Sequence, residues 1–367
     1  MKKRKLYITI FVLCGLFSLF VYFRVDREAV LCEINYQFHH EQTYLEHGTQ
    51  LYLDLEPLHK IDKDYGNWLV HPCVRYIEKG LNGHKWWMAV TPYPNANSRY
   101  EQPILFYGEG NDTIPPKNWR FVGLVQDWHP DGGYNADPNL FFDGTKLWIF
   151  WKECKTSNTD REHAYNCVMC KYFDGKKFGT PIRVLNNNDS INVRLTAPIV
   201  YEKEGKIKLI ATEFEHPRDH ENEALPFGNS HFAVWELRGA EFSRDAFSYQ
   251  KKAIQNYKKG FDFWHADICQ LNDFLYASVV TPGQANEILI GFSKNGENFN
   301  FLPKPLLSSK GNGISRMYKP SLVFVGKTAY LFYPARVGVV KGIESSSIFY
   351  TSFCISDVLD NSFLKTR

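Results

Sequence analysis

One phrase recurs five times along this chain: a leading residue, usually a proline, a strand-like run, a tight turn, then a second apolar run. Its copies are His71-Pro72-Cys73-Val74-Arg75-Tyr76, Asp137-Pro138-Asn139-Leu140-Phe141-Phe142, Ala197-Pro198-Ile199-Val200-Tyr201, Ala266-Asp267-Ile268-Cys269-Gln270-Leu271 and Lys319-Pro320-Ser321-Leu322-Val323-Phe324. Taking Pro72, Pro138, Pro198, Asp267 and Pro320 as phase markers, the spacings are 66, 60, 69 and 53 residues. A period of that size is a supersecondary unit that buries its apolar faces only against its neighbours.

Each copy continues into a second apolar run, as in Trp86-Trp87-Met88-Ala89-Val90 and Leu147-Trp148-Ile149-Phe150-Trp151. Aromatic and β-branched runs punctuated by Gly and Asp/Asn turns are strands. A weaker repeat follows, in Val168 to Phe178, Phe232 to Phe242 and Ile288 to Phe299, and reads as a third strand, a glycine turn and a fourth strand. Four strands in each of five repeats predict an all-β fold, a five-bladed β-propeller, which solves the sheet-edge problem radially. The last repeat runs out soon after Cys354, so the stretch near Thr49 to Leu55 is expected to supply its fourth strand and close the ring.

Met1-Lys2-Lys3-Arg4-Lys5 precedes an uncharged apolar run, Leu6 to Phe23, of 18 residues. At about 1.5 Å per residue such a run just spans a hydrocarbon core of roughly 30 Å. The charge asymmetry predicts a cytoplasmic N-terminus and an extracytoplasmic body. The expected layout is a basic stub at 1–5, a transmembrane signal anchor at 6–23, a linker with the ring-closing strand at 24–64 and the propeller at 65–367. A cleaved signal peptide is the rival reading, although Phe20-Val21-Tyr22-Phe23 offers no small-residue cleavage site. The formal net charge is only +3 and no basic block lies beyond the first five residues, so nucleic acid is not an expected partner. Seven of the eight cysteines lie beyond the apolar run. Cys154 and Cys167 flank a hairpin, where either a cross-strand disulfide or buried thiols would fit. Cys167-x-x-Cys170 is half a zinc knuckle with no second half.

In a propeller the first strand of each blade lines the central channel, and the strand starts share one face. The five phase positions therefore converge on one funnel: His71, Asp137, Ala197, the Trp264-His265-Ala266-Asp267 group, and Lys319 with Arg316. Second-strand ends add Glu153, Glu213, Glu215 and Arg336, and Glu101 lies in the outer half of blade I. Carboxylates, imidazoles and cations around a pit, with aromatic rings nearby, suit a polar, hydroxyl-rich ligand such as a sugar. The segment His216 to Phe227 is a charged insertion, either a lid or a solvated loop.

Tyr134-Asn135-Ala136-Asp137-Pro138, the x-Pro strand openings and Trp264-His265-Ala266-Asp267 resemble the five-bladed glycoside hydrolases, the arabinanase/xylosidase and invertase/levansucrase families, over residues 65 to 356. That resemblance implies carboxylates at the strand starts of blades I, II and III. Asp137 matches the second, but His71 stands where an Asp is implied and Thr196-Ala197 where a Glu is implied. It also implies a channel metal or water at His265, with calcium as the candidate ion.

The expectation is thus a membrane-anchored glycan-active propeller, a divergent glycoside hydrolase or transglycosidase. Asp137, Asp267 and Glu213 are the candidate catalytic carboxylates. His71, Trp264, His265, Arg316, Lys319 and Glu101 are candidate substrate contacts, and an oligo- or polysaccharide is the partner. A non-catalytic carbohydrate-binding propeller is the alternative, since glycoside hydrolysis requires a second carboxylate across the scissile bond.

Overall fold

A computed structural model describes residues 43–359, apart from 66–67, 111, 128, 130–131, 156–164, 187–192, 216–229, 257–261, 282–285, 310–313, 315 and 341–342. The expected anchor at 6–23 and the charged insertion at 216–227 lie outside the described residues. Among the described residues, no helix is long and apolar enough to cross a membrane.

The chain enters through two short strands, β1 (Thr49–Gln50) and β2 (Tyr52–Leu53). Blade I is β3 (Leu69–Leu81), β4 (His84–Pro92), β5 (Ile104–Gly108) and β6 (Asn118–Leu124). Blade II is β7 (Tyr134–Phe142), β8 (Leu147–Lys155), β9 (Tyr165–Phe173) and β10 (Ile182–Asn186). Blade III is β11 (Val193–Lys203), β12 (Lys206–Glu215), β13 (His231–Leu237) and β14 (Phe247–Asn256). Blade IV is β15 (His265–Leu271), β16 (Phe274–Val280), β17 (Glu287–Ser293) and β18 (Asn298–Phe301), followed by β19 (Leu307–Ser308). Blade V is β20 (Ser321–Val325), β21 (Thr328–Val340) and β22 (Ile343–Cys354). Within each blade consecutive strands pair antiparallel.

The fourth strand of blade V is β1, which pairs with β22 in the register Thr49↔Tyr350. Gly48 leads into it with its backbone against the Tyr350 carbonyl, an approach that a Cβ would block. Its amide donates to the Tyr333 hydroxyl at 2.9 Å. The next strand, β2, lies parallel along the outer edge of blade I. The N-terminal segment therefore spans the seam between the last blade and the first. Blades III and IV also touch at their outer edges, where β14 runs parallel to β18.

The core is five inter-blade layers rather than one nucleus, and the strand period explains it. Successive residues face opposite sides of a blade. Trp86, Met88 and Phe106 pack onto Phe332 and Ile348 of blade V, whereas Trp87 and Leu105 pack onto Ile149 and Trp151 of blade II. Similar layers join blades II and III, III and IV, and IV and V. The double-sided apolar runs read from the sequence are blades sandwiched on both faces.

The repeated x-Pro phrase has a backbone cause. His71, Asp137 and Ala197 have φ of 54°, 57° and 49°, left-handed values that side-chain-bearing residues seldom adopt. At each one the pairing register with the second strand shifts, between Val70/Cys73, Ala136/Asn139 and Thr196/Ile199. Each is a bulge at the channel mouth that re-aims one side chain. Blade IV has no such bulge, and β15 pairs without interruption from His265 to Leu271. Its mouth position is therefore His265, and Asp267 lies one layer deeper.

That deeper layer ties the ring together. Asp267 is fully buried and accepts from Arg75 Nη1 and Nη2 at 3.1 and 3.0 Å, Ser321 Oγ at 2.7 Å and the Leu322 amide at 3.2 Å. Asn139 reaches it at 3.4 Å and accepts from the Val200 amide at 3.0 Å. Residues of all five blades meet in this network.

All six described cysteines are free. A Cys154–Cys167 bridge is ruled out by register: Cys167 pairs with Glu153 and Cys154 with Asn166, so neighbouring positions place the two thiols on opposite faces. Cys167 and Cys170, three apart, likewise face apart, which removes the half-knuckle reading.

Replacing Asp267 with Ala strands the Arg75 guanidinium and is expected to cost about 3–5 kcal/mol of unfolding free energy in a urea titration. A loss below about 1 kcal/mol would show that the network is not a fastener of the ring.

Candidate functional site

The three bulges and the start of β15 bring His71, Asp137, Ala197 and His265 to one level at the channel mouth. Asp137 is the centre. Its Oδ2 accepts from the Thr196 hydroxyl and from the Ala197 amide at 3.2 Å, and lies 3.4 Å from Lys152 Nζ. Its Oδ1 faces two imidazoles, His71 Nε2 at 3.4 Å and His265 Nδ1 at 3.2 Å. Burial alone would raise the Asp137 pKa, but His265, His71 and Lys152 overcome it and hold the carboxyl well below its usual range. Burial drives the His71 pKa well down and lowers that of His265, while the Asp137 carboxylate opposes the shift in both.

This arrangement leaves capacity unspent. Asp137 Oδ1 and both ring nitrogens of His265 are buried without a hydrogen bond among the described residues. Buried polar atoms without partners are uncommon and costly. One ligand atom from each of His71, Asp137 and His265 lies within 4.8 Å of the others. Two imidazoles and a carboxylate converging on one point are the donors of an open divalent site. The His71 Nδ1 edge lies 3.3 Å from Thr91 Oγ1, an outer contact that orients the ring. Calcium prefers six to eight oxygens, so two nitrogens among three donors suit a zinc-like transition ion better.

The remaining sequence candidates divide into two sides of the funnel. Glu101, only 5% exposed, has no hydrogen bond or ion pair to its carboxyl among the described residues. Burial pushes its pKa up to about 8, with Lys152 opposing and Asp137 adding to the rise. Glu213 lies 3.2 Å from His231 Nε2, and Glu153 lies 3.5 Å from His129 Nε2. On the other side Trp264 stacks on His265 at 4.6 Å between ring centroids, and Tyr318 lies 5.6 Å from Trp264. Arg316 lies over Tyr318 and Arg336 over Trp68. Lys319 is fully buried and donates to the Pro138 carbonyl at 2.8 Å.

The structure groups Asp137, His71 and His265 at one point and sets Asp267 apart in the Arg75 network. Lys152 and Thr196 were not expected there. Lys152 was legible as the residue paired with Ala136 on the adjoining strand, and Thr196 as the neighbour of the Ala197 bulge.

No family model and no curated protein matches this sequence. Solved structures do match. An N-acetylgalactosamine deacetylase from F. plautii, in complex with blood group B trisaccharide, has a TM-score of 0.66 at 14% identity, over 86% of this chain and 96% of that one. A xylan β-1,4-xylosidase from Bacillus halodurans has a TM-score of 0.56 at 14% identity, over 79% of this chain and 54% of that one. A B. megaterium levansucrase has a TM-score of 0.57 at 11% identity, over 88% of this chain and 91% of that one. This chain thus spans about half of that xylosidase and nearly all of the other two. What this chain shares with these structures is the fold, a five-bladed β-propeller.

Two measurements test the site. Metal analysis after dialysis against zinc or manganese is expected to find about one ion per chain, lost in His265→Ala and Asp137→Asn. Equal metal content in all three proteins would exclude the site. Second, Glu101 holds its proton in the folded state at pH values where the unfolded chain has released it. Folding therefore binds a proton between about 4.5, the ordinary value, and about 8, and stability falls as pH rises through that window. Glu101→Gln has no such proton, so its unfolding free energy is expected to drop less between pH 5 and pH 8. An unchanged drop would assign the titration elsewhere.

Proposed function

We propose that this propeller is a carbohydrate-active hydrolase that works through the His71–Asp137–His265 centre, removing an acyl group from a glycan rather than splitting a glycosidic bond. One observation carries the reading. Asp137 is buried, with Oδ2 bonded and Oδ1 turned to the two imidazoles, so it is placed to hold a cation and not to attack an anomeric carbon. A divalent ion bound at this level of the channel mouth would supply Lewis-acid polarisation. Three residues of the chain would hold it: His71, Asp137 and His265. Lys152 and the Ala197 amide keep Asp137 ionised and fixed. Glu101 carries a proton at neutral pH, which a leaving amine or alkoxide requires. Trp264 and Tyr318 offer ring faces for the apolar face of a sugar. The similarity to the F. plautii deacetylase, over nearly the whole of that chain, supports the acyl-transfer reading.

A second reading, a divergent glycosidase or transglycosidase, has the same Glu101 in its favour, because a protonated buried carboxyl is also the acid that glycoside cleavage uses. We place the enzyme outside the cytoplasmic membrane, tethered by the apolar segment at 6–23, where surface polysaccharide would be its substrate.

Incubating the purified protein with N- and O-acetylated oligosaccharides separates the readings. The expected product is acetate with the sugar chain length unchanged, abolished by a chelator and reduced at least about 100-fold in Asp137→Asn. Shortened or transferred oligosaccharides without acetate would replace this reading with the glycosidase one. Binding without either product would leave a carbohydrate-binding module.

A further inference from the structure

The N-terminal segment from Thr43 to Leu53 crosses three blades. The amides of Tyr44 and Leu45 donate to the Pro305 and Leu306 carbonyls of blade IV at 3.1 and 2.9 Å. Further along, β1 completes blade V and β2 edges blade I. Between Leu45 and Thr49 the segment passes from blade IV to blade V, and His47 stands at that passage. Its Nε2 lies 3.1 Å from the Ser308 carbonyl of β19, and its Nδ1 lies 3.0 Å from the Tyr333 hydroxyl of β21. The imidazole meets the phenol edge-on, with 5.5 Å between centroids. Tyr333 is fully buried and stacks on Phe349, which pairs with Gln50. One side chain of the segment thus bridges two blades at the point where the ring closes.

The partners fix the proton positions. A carbonyl can only accept, so Nε2 carries a proton and donates to Ser308. In a neutral ring Nδ1 is then an acceptor, and the Tyr333 hydroxyl donates to it. The Tyr333 oxygen in turn accepts from the Gly48 amide at 2.9 Å. The whole relay, from the Gly48 amide to the Ser308 carbonyl, is satisfied in one sense. A second proton on the ring breaks it. The Nδ1 proton then faces the Tyr333 hydroxyl, whose own hydrogen loses its acceptor, and a positive charge enters a mostly apolar seam. Burial lowers the His47 pKa, with the Ser308 carbonyl opposing. The ionisable neighbours are Tyr333, Glu46 next in sequence, Lys304 over the Tyr44 ring, and Tyr350 opposite Thr49. Among the described residues none of these carries a charge that moves the His47 titration, so no carboxylate compensates a charged ring.

We infer that His47 is an acid-released latch on ring closure: as a neutral ring it ties the N-terminal segment to blades IV and V, and on protonation it frees the segment from blade V. The inference is independent of the glycan reading. Its sign follows from linkage. In the released segment the ring has its ordinary pKa of about 6.5, and in the closed one it is held lower. The released form therefore binds the extra proton. Closure has its full strength above about pH 6.5 and weakens as pH falls below it. At about pH 5 the opening equilibrium rises by at most about 30-fold, the limit for a ring that stays neutral while closed. Release leaves β22 without its outer partner, so the edge of blade V opens while the four inner layers stay packed.

The test is amide hydrogen exchange of the full-length protein read by mass spectrometry at about pH 7.5 and about pH 5, with each rate corrected for its intrinsic pH dependence. The amides of Gly48 and Leu51 report on the latch, since they donate to the Tyr333 hydroxyl and to the Ile348 carbonyl. Their protection is expected to fall between about fivefold and about 30-fold on acidification, while that of β16 and β17 inside blade IV changes less than about twofold. His47→Gln keeps a donor for Ser308 but has no proton to gain. Its segment is expected to be less protected at the higher pH and to show no further loss at the lower one. Constant protection of the wild-type segment across this range overturns the latch. So does an equal acid loss in His47→Gln, which would assign the titration to another group. A fall of the same size in β16 and β17 overturns it as well, because the whole ring would then be unfolding together.

Discussion

A carboxylate at the axis of a β-propeller is far from water, and its charge must be met locally or the fold cannot hold it. Asp137 meets that condition by drawing one partner from each side: Thr196 and the Ala197 amide from blade III, Lys152 from its own blade, and His71 and His265 from blades I and IV. The positions of these groups follow from one demand. The bulges at His71, Asp137 and Ala197 accept unfavourable backbone angles to satisfy it. Strain of that kind persists only where the surroundings over-determine it, and it tends to collect at working sites.

Two buried carboxylates stand in the channel and have opposite characters. Asp267 has both oxygens spent on Arg75, Ser321 and the Leu322 amide, and it serves the ring. Asp137 spends one oxygen on its surroundings and turns the other towards two imidazoles. A fully satisfied group fastens; a half-satisfied one is available. That difference separates structure from chemistry here, although the two residues are of one type and equal burial.

The architecture was legible because a period-two apolar pattern sandwiched between neighbours has few solutions, and five phase markers counted the blades. The site was legible in part. Asp137, His71 and His265 could be named because each opens a first strand. Asp267 was read as the blade IV marker because it follows the tryptophan-histidine pair where prolines stand elsewhere. The phase is offset there by two residues: blade IV lacks the bulge, so its strand runs straight from His265, and the aspartate drops one layer down the channel. A bulge adds a residue on one strand without marking it in the sequence, and that hidden residue is what the repeat could not report. Lys152 and Thr196 were hidden for a related reason, since they reach the site across a strand pairing rather than along the repeat.

The clasp made by Thr49–Gln50 against Phe349–Tyr350 joins residues some 300 positions apart. The first strand laid down must wait for nearly the last one before it has a partner. Until then the outer edge of blade V does not exist and the edge of blade I is only partly covered, since β2 is held beside β1. Contacts of such sequence separation form late and slowly. A chain of this design is thus an open crescent for most of its synthesis, with its channel unsealed and its mouth residues apart. His71 and Asp137 stand on neighbouring blades, but His265 reaches them from blade IV, so the centre belongs to the ring and not to any single blade.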